Sequence, residues 1–257
     1  MRPKQGIFAV LLALTSFRLT GTQNIVYMIL VALTVFVMVG VIMVWNDYCD
    51  RDRDVLKDKT FVHNNPSRYL RFSIQLWCLA GVLSLGLLVF SWQAFALAVF
   101  MGLVGWLYSV TIIKIPLLPA FTVAMLSSAV IFYPACLPGG YSSELRYLAQ
   151  MTFCLIFARE LMSDIGDVDV DRGHKVTIPV MFGRDVATVS VVIALMALLV
   201  SVSRAAPVIG GALSVFLFVF IRQHVMIEFA NGYKEGREML DLMTLGTLLA
   251  LLAFGEI

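Results

Sequence analysis

The sequence predicts an all-α integral membrane protein, with about nine transmembrane helices in one bundle. Three observations predict it. Hydrophobic residues make up 60% of the 257 and charged residues only 14%, where a soluble globular domain carries about 25% charged residues. Mean hydropathy is +0.89. The apolar residues gather in runs long enough to cross a bilayer core, which takes about 20 residues of helix. No low-complexity segment or soluble domain interrupts these runs, so residues 1–257 read as a single transmembrane domain.

The first run, about 6–20, follows MRPKQ and is the shortest; no small-residue cleavage site succeeds it, so it reads as a retained helix rather than a signal. The second, about 24–45, ends at WNDYCDRDRD. Runs at about 69–90 and 93–110 are divided by SWQ, those at 117–134 and 145–162 by LPGGYSS, and those at 186–203 and 207–227 by SRAAP. These breaks carry the Gly, Pro and Ser of short turns. The ninth run is about 239–255. Two breaks are different, long and charged: 46–68 and 163–185.

Nine spans place alternate loops on opposite sides. Of the 19 Lys and Arg, all but Arg18, Arg146 and Arg204 then fall on one side, with the N-terminus. Positive charge stays cytoplasmic, so both long breaks face the cytoplasm. Of the 17 Asp and Glu, all but Glu144 and Glu256 fall there too. The positive-inside rule does not ask this of carboxylates, so they have another reason to be there. Four scattered cysteines without a CxxC pair read as reduced, small hydrophobes.

The two breaks share a pattern. Asp47, Asp50, Asp52 and Asp54 stand at offsets 0, 3, 5 and 7, and Asp164, Asp167, Asp169 and Asp171 repeat those offsets. On a helix turning about 100° per residue, offsets 0, 3 and 7 lie within roughly 80° of arc, while offset 5 points about 140° away from offset 0. Asp47, Asp50 and Asp54 can therefore meet one object, as can Asp164, Asp167 and Asp171; Asp52 and Asp169 face elsewhere. Asn46 lies at the edge of the first arc. Like charges on one face repel, and cations between them relieve that repulsion. Oxygen ligands without Cys or His suit a hard ion, Mg²⁺ or Ca²⁺. An EF-hand loop counted from Asp47 would need Gly at residue 52 and Glu at 58, where Asp stands at both. Mg²⁺ binds through one or two carboxylates plus substrate phosphates, so two such clusters facing each other would clamp a diphosphate. Solvated acidic loops and an intramembrane ion pathway are the alternatives. The pathway lacks the matched Gly/Pro breaks common in transporter half-helices.

NDYCDRDRD resembles the NDxxDxxxD motif of the UbiA superfamily of intramembrane prenyltransferases, on Asn46, Asp47, Asp50 and Asp54. ARELMSDIGDVDVDRGHKVTIPVMFG resembles the second aspartate-rich region of that family, with Asp164, Asp167 and Asp171 in its places. YSVTIIKIPLL resembles its Tyr-Ser…Lys segment, placing Tyr108 and Lys114, and RPK at 2–4 resembles its Arg-Pro start. The chain departs from the family in three places. Val170 stands where Gly is usual, the stretch from Asp171 to Thr177 is one residue short, and KDKTFVHNNPSRYLRFS aligns poorly with an Arg-Pro-rich segment.

The resemblance implies a prenyltransferase domain around a central apolar cavity, open to the cytoplasm. It implies an isoprenyl diphosphate donor, Mg²⁺ as cofactor, and an aromatic or glycerol-phosphate lipid as acceptor; no nucleic-acid partner is expected. Asn46, Asp47, Asp50, Asp54, Asp164, Asp167 and Asp171 are the implied metal ligands. Asn46, Lys114 and Arg68 are implied for the diphosphate, with Arg71 a further candidate. Asp50, Asp54, Asp167, Tyr108 and Lys114 are the implied catalytic residues. A cyclase acting on the donor alone is the second reading of the same site, a transporter the third. Glu160 is one turn before Asp164, where it would orient Asp164 or pair with Arg159. His63, His174 and His224 carry no distinctive pattern.

Overall fold

A computed structural model describes residues 3–55, 60–115, 118–173 and 175–205, with isolated positions 217, 221, 238 and 240–242. Ten α-helices are described: α1 (Pro3–Leu19), α2 (Ile25–Cys49), α3 (Arg51–Asp54), α4 (Phe61–Asn64), α5 (Pro66–Leu87), α6 (Trp92–Val110), α7 (Leu118–Ala129), α8 (Ser143–Gly166), α9 (Val168–Asp171) and α10 (Ile178–Ala205). No strand occurs among the described residues. Four helices there are long and apolar enough to cross a membrane: Ile25–Cys49, Pro66–Leu87, Trp92–Val110 and Ile178–Ser203. They carry the expected runs at 24–45, 69–90, 93–110 and 186–203.

The chain divides into two compact units, one of Met1–Ile112 and Ala129–Ser142, the other of Ile113–Ser128 and Ser143–Ile257. In the first, α2 is the hub, packing against α1, α5 and α6. The hydrophobic effect does not distinguish lipid from a neighbouring helix, so close approach through small residues drives such packing. The buried face of α6 accordingly reads Ala94, Ala98, Met101, Gly102, Gly105 and Ser109. A Cβ at Gly105 would overlap the Ile42 side chain of α2. Buried hydroxyls close on their own helices, as Thr34 Oγ1 does on the Leu30 carbonyl at 2.7 Å. Far from the aspartates, the Tyr27 hydroxyl donates to the Tyr133 carbonyl (2.8 Å) and Ser91 Oγ to the Cys136 carbonyl (2.7 Å). These bonds tie the 3₁₀ turns Val130–Phe132 and Pro134–Cys136 into the first unit.

In the second unit α8 packs along α10. Leu155, Ala158, Leu161, Met162 and Ile165 meet Ile178, Ala187, Val191, Leu195, Leu198 and Val202. Steps of three and four give each helix one apolar stripe. Asp164 therefore sits between two core positions at the end of α8.

Several expectations need correction. The run at 117–134 is a shorter apolar helix, Leu118–Phe132, whose last turn is 3₁₀. α7 lasts 12 residues and gives way to 3₁₀ turns, where Ser127 and Ser128 bond back to the carbonyls of Val123 and Ala124 and Pro134 lacks an N–H. Such back-bonding loosens a helix end. The run at 6–20 is a helix of 17 residues, and 145–162 lies inside α8, whose charges keep it out of the four apolar spans. The runs at 207–227 and 239–255 lie almost wholly outside the described residues. The long breaks are largely helical: α2 continues to Cys49, α3 and α4 follow, and α5 starts at Pro66, a residue suited to the first turn. α10 starts at Ile178 and kinks at Gly183, whose φ of 88° is open to glycine and strained for other residues.

Gly105→Leu is expected to destabilise the detergent-solubilised protein by about 1–3 kcal/mol, the usual range for overpacking. Gly81→Ala, on the exposed face of α5 with nothing near its Cβ position, is expected to be neutral or to stabilise by up to about 1 kcal/mol. Thermal unfolding measures both, and an unchanged Tm in Gly105→Leu contradicts the close approach of α6 and α2.

Candidate active site

The first aspartate cluster is built on the end of α2. Asp50 closes that helix at φ −89°, ψ 3°, the bridge region where the helix bends. Its N–H still reaches the Asn46 carbonyl (2.8 Å), and the Asp54 N–H reaches the Asp50 carbonyl (2.8 Å). The bend thus preserves the i to i−4 ladder. Asn46 is fixed from two sides: its Nδ2 donates to Asp50 Oδ2 at 3.0 Å, and its Oδ1 accepts from Ser109 Oγ of α6 at 3.3 Å. Asp47 and Asp50 are half-buried and Asp54 is only 6% exposed. The Asp52 side chain is 72% exposed, 3.1 Å from His63 Nδ1. Arg51 turns back, its guanidinium 4.8 Å from the centre of the Tyr48 ring.

The second cluster repeats this backbone. Asp167 follows α8 at φ −97°, ψ 4°. Its N–H reaches the Ser163 carbonyl (3.0 Å), and the Asp171 N–H reaches the Asp167 carbonyl (2.9 Å). Asp164 and Asp171 are 4% and 2% exposed and Asp167 is half-buried. Asp169 is turned out, 74% exposed and 3.1 Å from Arg184. Position by position, offsets 0, 3 and 7 are drawn inward and offset 5 faces out in both clusters, as the helical spacing predicts. The bend at offset 3 is not predicted by a straight helix.

Lys175 donates to Asp164 Oδ1 at 2.7 Å. Burial pushes the Asp164 carboxyl up to about 6, with Lys175 opposing that shift and Glu160 and Asp171 adding to it. The Val176 N–H bonds the Ile113 carbonyl at 3.2 Å, which holds the 3₁₀ turn Ile112–Lys114 beside the segment after Asp171. Lys114 itself is exposed. Arg159, 12% exposed, pairs with both Glu160 and Asp241, so Glu160 holds Arg159. Tyr108 is half-buried on α6. Arg68 and Arg71 are exposed on α5. The placements of His174 and His224 and the side chain of Arg53 lie outside the described residues.

The donors are carboxylates with an amide, the set that a hard cation prefers. Among the described residues, no three Asp, Glu, His or Cys side chains already close on one point. Mg²⁺ fits such a site, because it takes one or two carboxylates and completes its octahedron with water and phosphate oxygens. Spacing did not reveal Ser109, Lys175 or Asp241. Ser109 had one signal, its position directly after Tyr108; the other two depend on contacts across a loop or between distant segments.

The family model for the UbiA prenyltransferase family matches residues 7–250. The digeranylgeranylglyceryl phosphate synthase of Natronomonas pharaonis is 30% identical over 145 residues, covering 54% of this chain and 51% of that protein. The matched part thus spans about half the length of that curated relative. An apo UbiA homolog from Aeropyrum pernix K1 superposes with a TM-score of 0.79 at 17% identity, covering 98% of both chains. A UbiA homolog from Archaeoglobus fulgidus bound to DMAPP and Mg²⁺ gives 0.70 at 12% identity, covering 97% of both. The structural likenesses show a common fold, the family match extends over nearly the whole sequence, and the chain belongs to the UbiA prenyltransferase family.

Proposed function

We propose that this membrane protein is a prenyltransferase that moves a prenyl group from an isoprenyl diphosphate to a glycerol-phosphate-type lipid, with an aromatic acceptor as the second candidate. The repeated backbone of the two aspartate clusters carries the reading. Each has a half-buried carboxylate at a bend, at Asp50 or Asp167, and a buried one a turn later, at Asp54 or Asp171. The glycerol-phosphate acceptor is supported by the name of the Natronomonas relative. About nine helices around a central apolar cavity, with the clusters at its cytoplasmic mouth, complete the proposed arrangement.

In this reading Asn46, Asp47, Asp50, Asp54, Asp164, Asp167 and Asp171 would hold Mg²⁺. When bound, Mg²⁺ neutralises the charge that develops on the departing diphosphate. The Asn46 amide, held by Ser109 and Asp50, orients the first cluster. Lys114 adds a compact positive charge to the diphosphate, and the Tyr108 ring supports the allylic cation through its face. The carbon–oxygen bond to the diphosphate breaks and its electron pair leaves with the phosphate. The acceptor oxygen, or a ring carbon, then bonds the allylic carbon and gives up its proton. Apolar helix walls exclude the water that would quench the cation. We assign Arg68, which the resemblance implies for the diphosphate, no step in this proposal; it is exposed on α5.

Two measurements test this reading. The first is diphosphate release with geranylgeranyl diphosphate, Mg²⁺ and a glycerol-phosphate lipid. Asp50→Ala and Asp167→Ala are each expected to lower turnover on the order of 100-fold or more, with the protein still folded; Asp52→Ala and Asp169→Ala are expected to stay within a few-fold of wild type. Full activity in Asp50→Ala or Asp167→Ala overturns the two-cluster site. The second is the stability of Lys175→Met without metal. The folded-state value of Asp164 lies above its unfolded one, so stability is highest below the unfolded value and falls as pH rises through the folded one. Removing Lys175 raises the folded value further. Lys175→Met is therefore expected to lose more Tm at pH 8 than at pH 5; an equal loss at both contradicts the ion pair.

A further inference from the structure

The first turns of α5 carry a feature that the proposed reaction does not use. Ser73, Ala80, Ser84 and Leu87 are the buried positions of this helix, and Leu76, Trp77 and Ala80 pack with Met38 and Val41 of α2. At about 100° per residue, Arg68, Arg71, Phe72, Gln75, Leu79 and Val82 share a stripe, and Arg68 lies about 140° from Ser73. The stripe therefore points away from α2, whose end carries Asn46, Asp47 and Asp50.

The stripe is graded. Arg68 and Arg71 stand at its start, and neither pairs with a carboxylate among the described residues. Phe72, Leu79 and Val82 follow, 42%, 46% and 65% exposed. Between α4 and this start lies a groove of about 720 Å³, lined among others by Asn64, Asn65, Arg68, Tyr69, Arg71 and Gln75. The Phe61 and Tyr69 rings meet edge to face at 6.0 Å and wall it. A basic, amide-lined groove with aromatics, at the end of a membrane-crossing helix, continues into an exposed apolar track. Arginines bind phosphate oxygens in a fork, aromatics mark the membrane interface, and basic pockets at helix ends take anionic head groups.

We propose that this groove binds the head group of an anionic phospholipid of the surrounding bilayer. Its phosphate lies on Arg68 and Arg71, its head-group hydroxyls on Asn64 and Gln75, and its chains along Phe72, Leu79 and Val82. Charge selects the occupant: two guanidiniums without a facing carboxylate among the described residues favour a net negative head group over a zwitterionic one, and the apolar track favours a lipid over free phosphate. The site is independent of donor and acceptor.

Native mass spectrometry of the full chain in detergent, without donor or acceptor, tests it with phosphatidylglycerol and phosphatidylcholine as probes. Wild type is expected to retain one phosphatidylglycerol in preference to phosphatidylcholine. Arg71→Gln is expected to lower that preference about fivefold or more, and Arg146→Gln to leave it unchanged. Because Arg71 is exposed, Tm should match wild type. Equal retention of the two lipids by wild type, an unchanged preference in Arg71→Gln, or release of the lipid by millimolar inorganic phosphate overturns the proposal.

Discussion

A carboxylate taken out of water is costly unless something balances its charge, and the buried Asp54, Asp164 and Asp171 place that constraint on this chain. α2 and α8 both run out of apolar residues into aspartates rather than into solvated lysines. Both bend at the second inward aspartate, and both keep their backbone ladder through the bend. The bend moves Asp54 and Asp171 under cover while Asp52 and Asp169 stay in solvent. Lys175 serves Asp164, yet burial still holds that carboxyl above its usual range. In the proposed reaction Mg²⁺ would add positive charge beside these carboxylates.

The packing serves the same end. Glycine at position 105 lets α6 come close to α2, and one turn later Ser109 reaches Asn46. In the other unit the apolar stripes of α8 and α10 fix the height of Asp164 between Leu161 and Ile165. Arg159, held by Glu160 and Asp241, ties α8 to a distant segment of the chain. A side chain paired on both sides is a structural tie, and its mutation would loosen the unit before it touched the chemistry.

Much of this was legible in the sequence, because the informative features were local. The repeat of offsets 0, 3, 5 and 7 sets Asp52 and Asp169 apart from the other aspartates, and these two are the exposed ones in the structure. Four of the long apolar runs became the helices suited to crossing a membrane. Features set by contacts between distant residues were not legible. The end of α7 depends on serine back-bonding and on the attachment of Tyr133 to Tyr27 across more than a hundred residues. The Asp164–Lys175 pair closes across a turn that spacing does not specify. Arg68 is exposed at the start of α5, and its place in the chain alone does not fix its role.

The central claim is that both clusters act on one diphosphate. A double-mutant cycle on Asp50 and Asp167 tests this most directly, with Mg²⁺-dependent binding of inorganic diphosphate as the readout. Residues that share one ligand are non-additive, and independent sites add within about 0.5 kcal/mol. The account predicts that the Asp50→Ala/Asp167→Ala double variant binds no more weakly than the worse single variant. Losses that add in full would mean two separate sites and would contradict it.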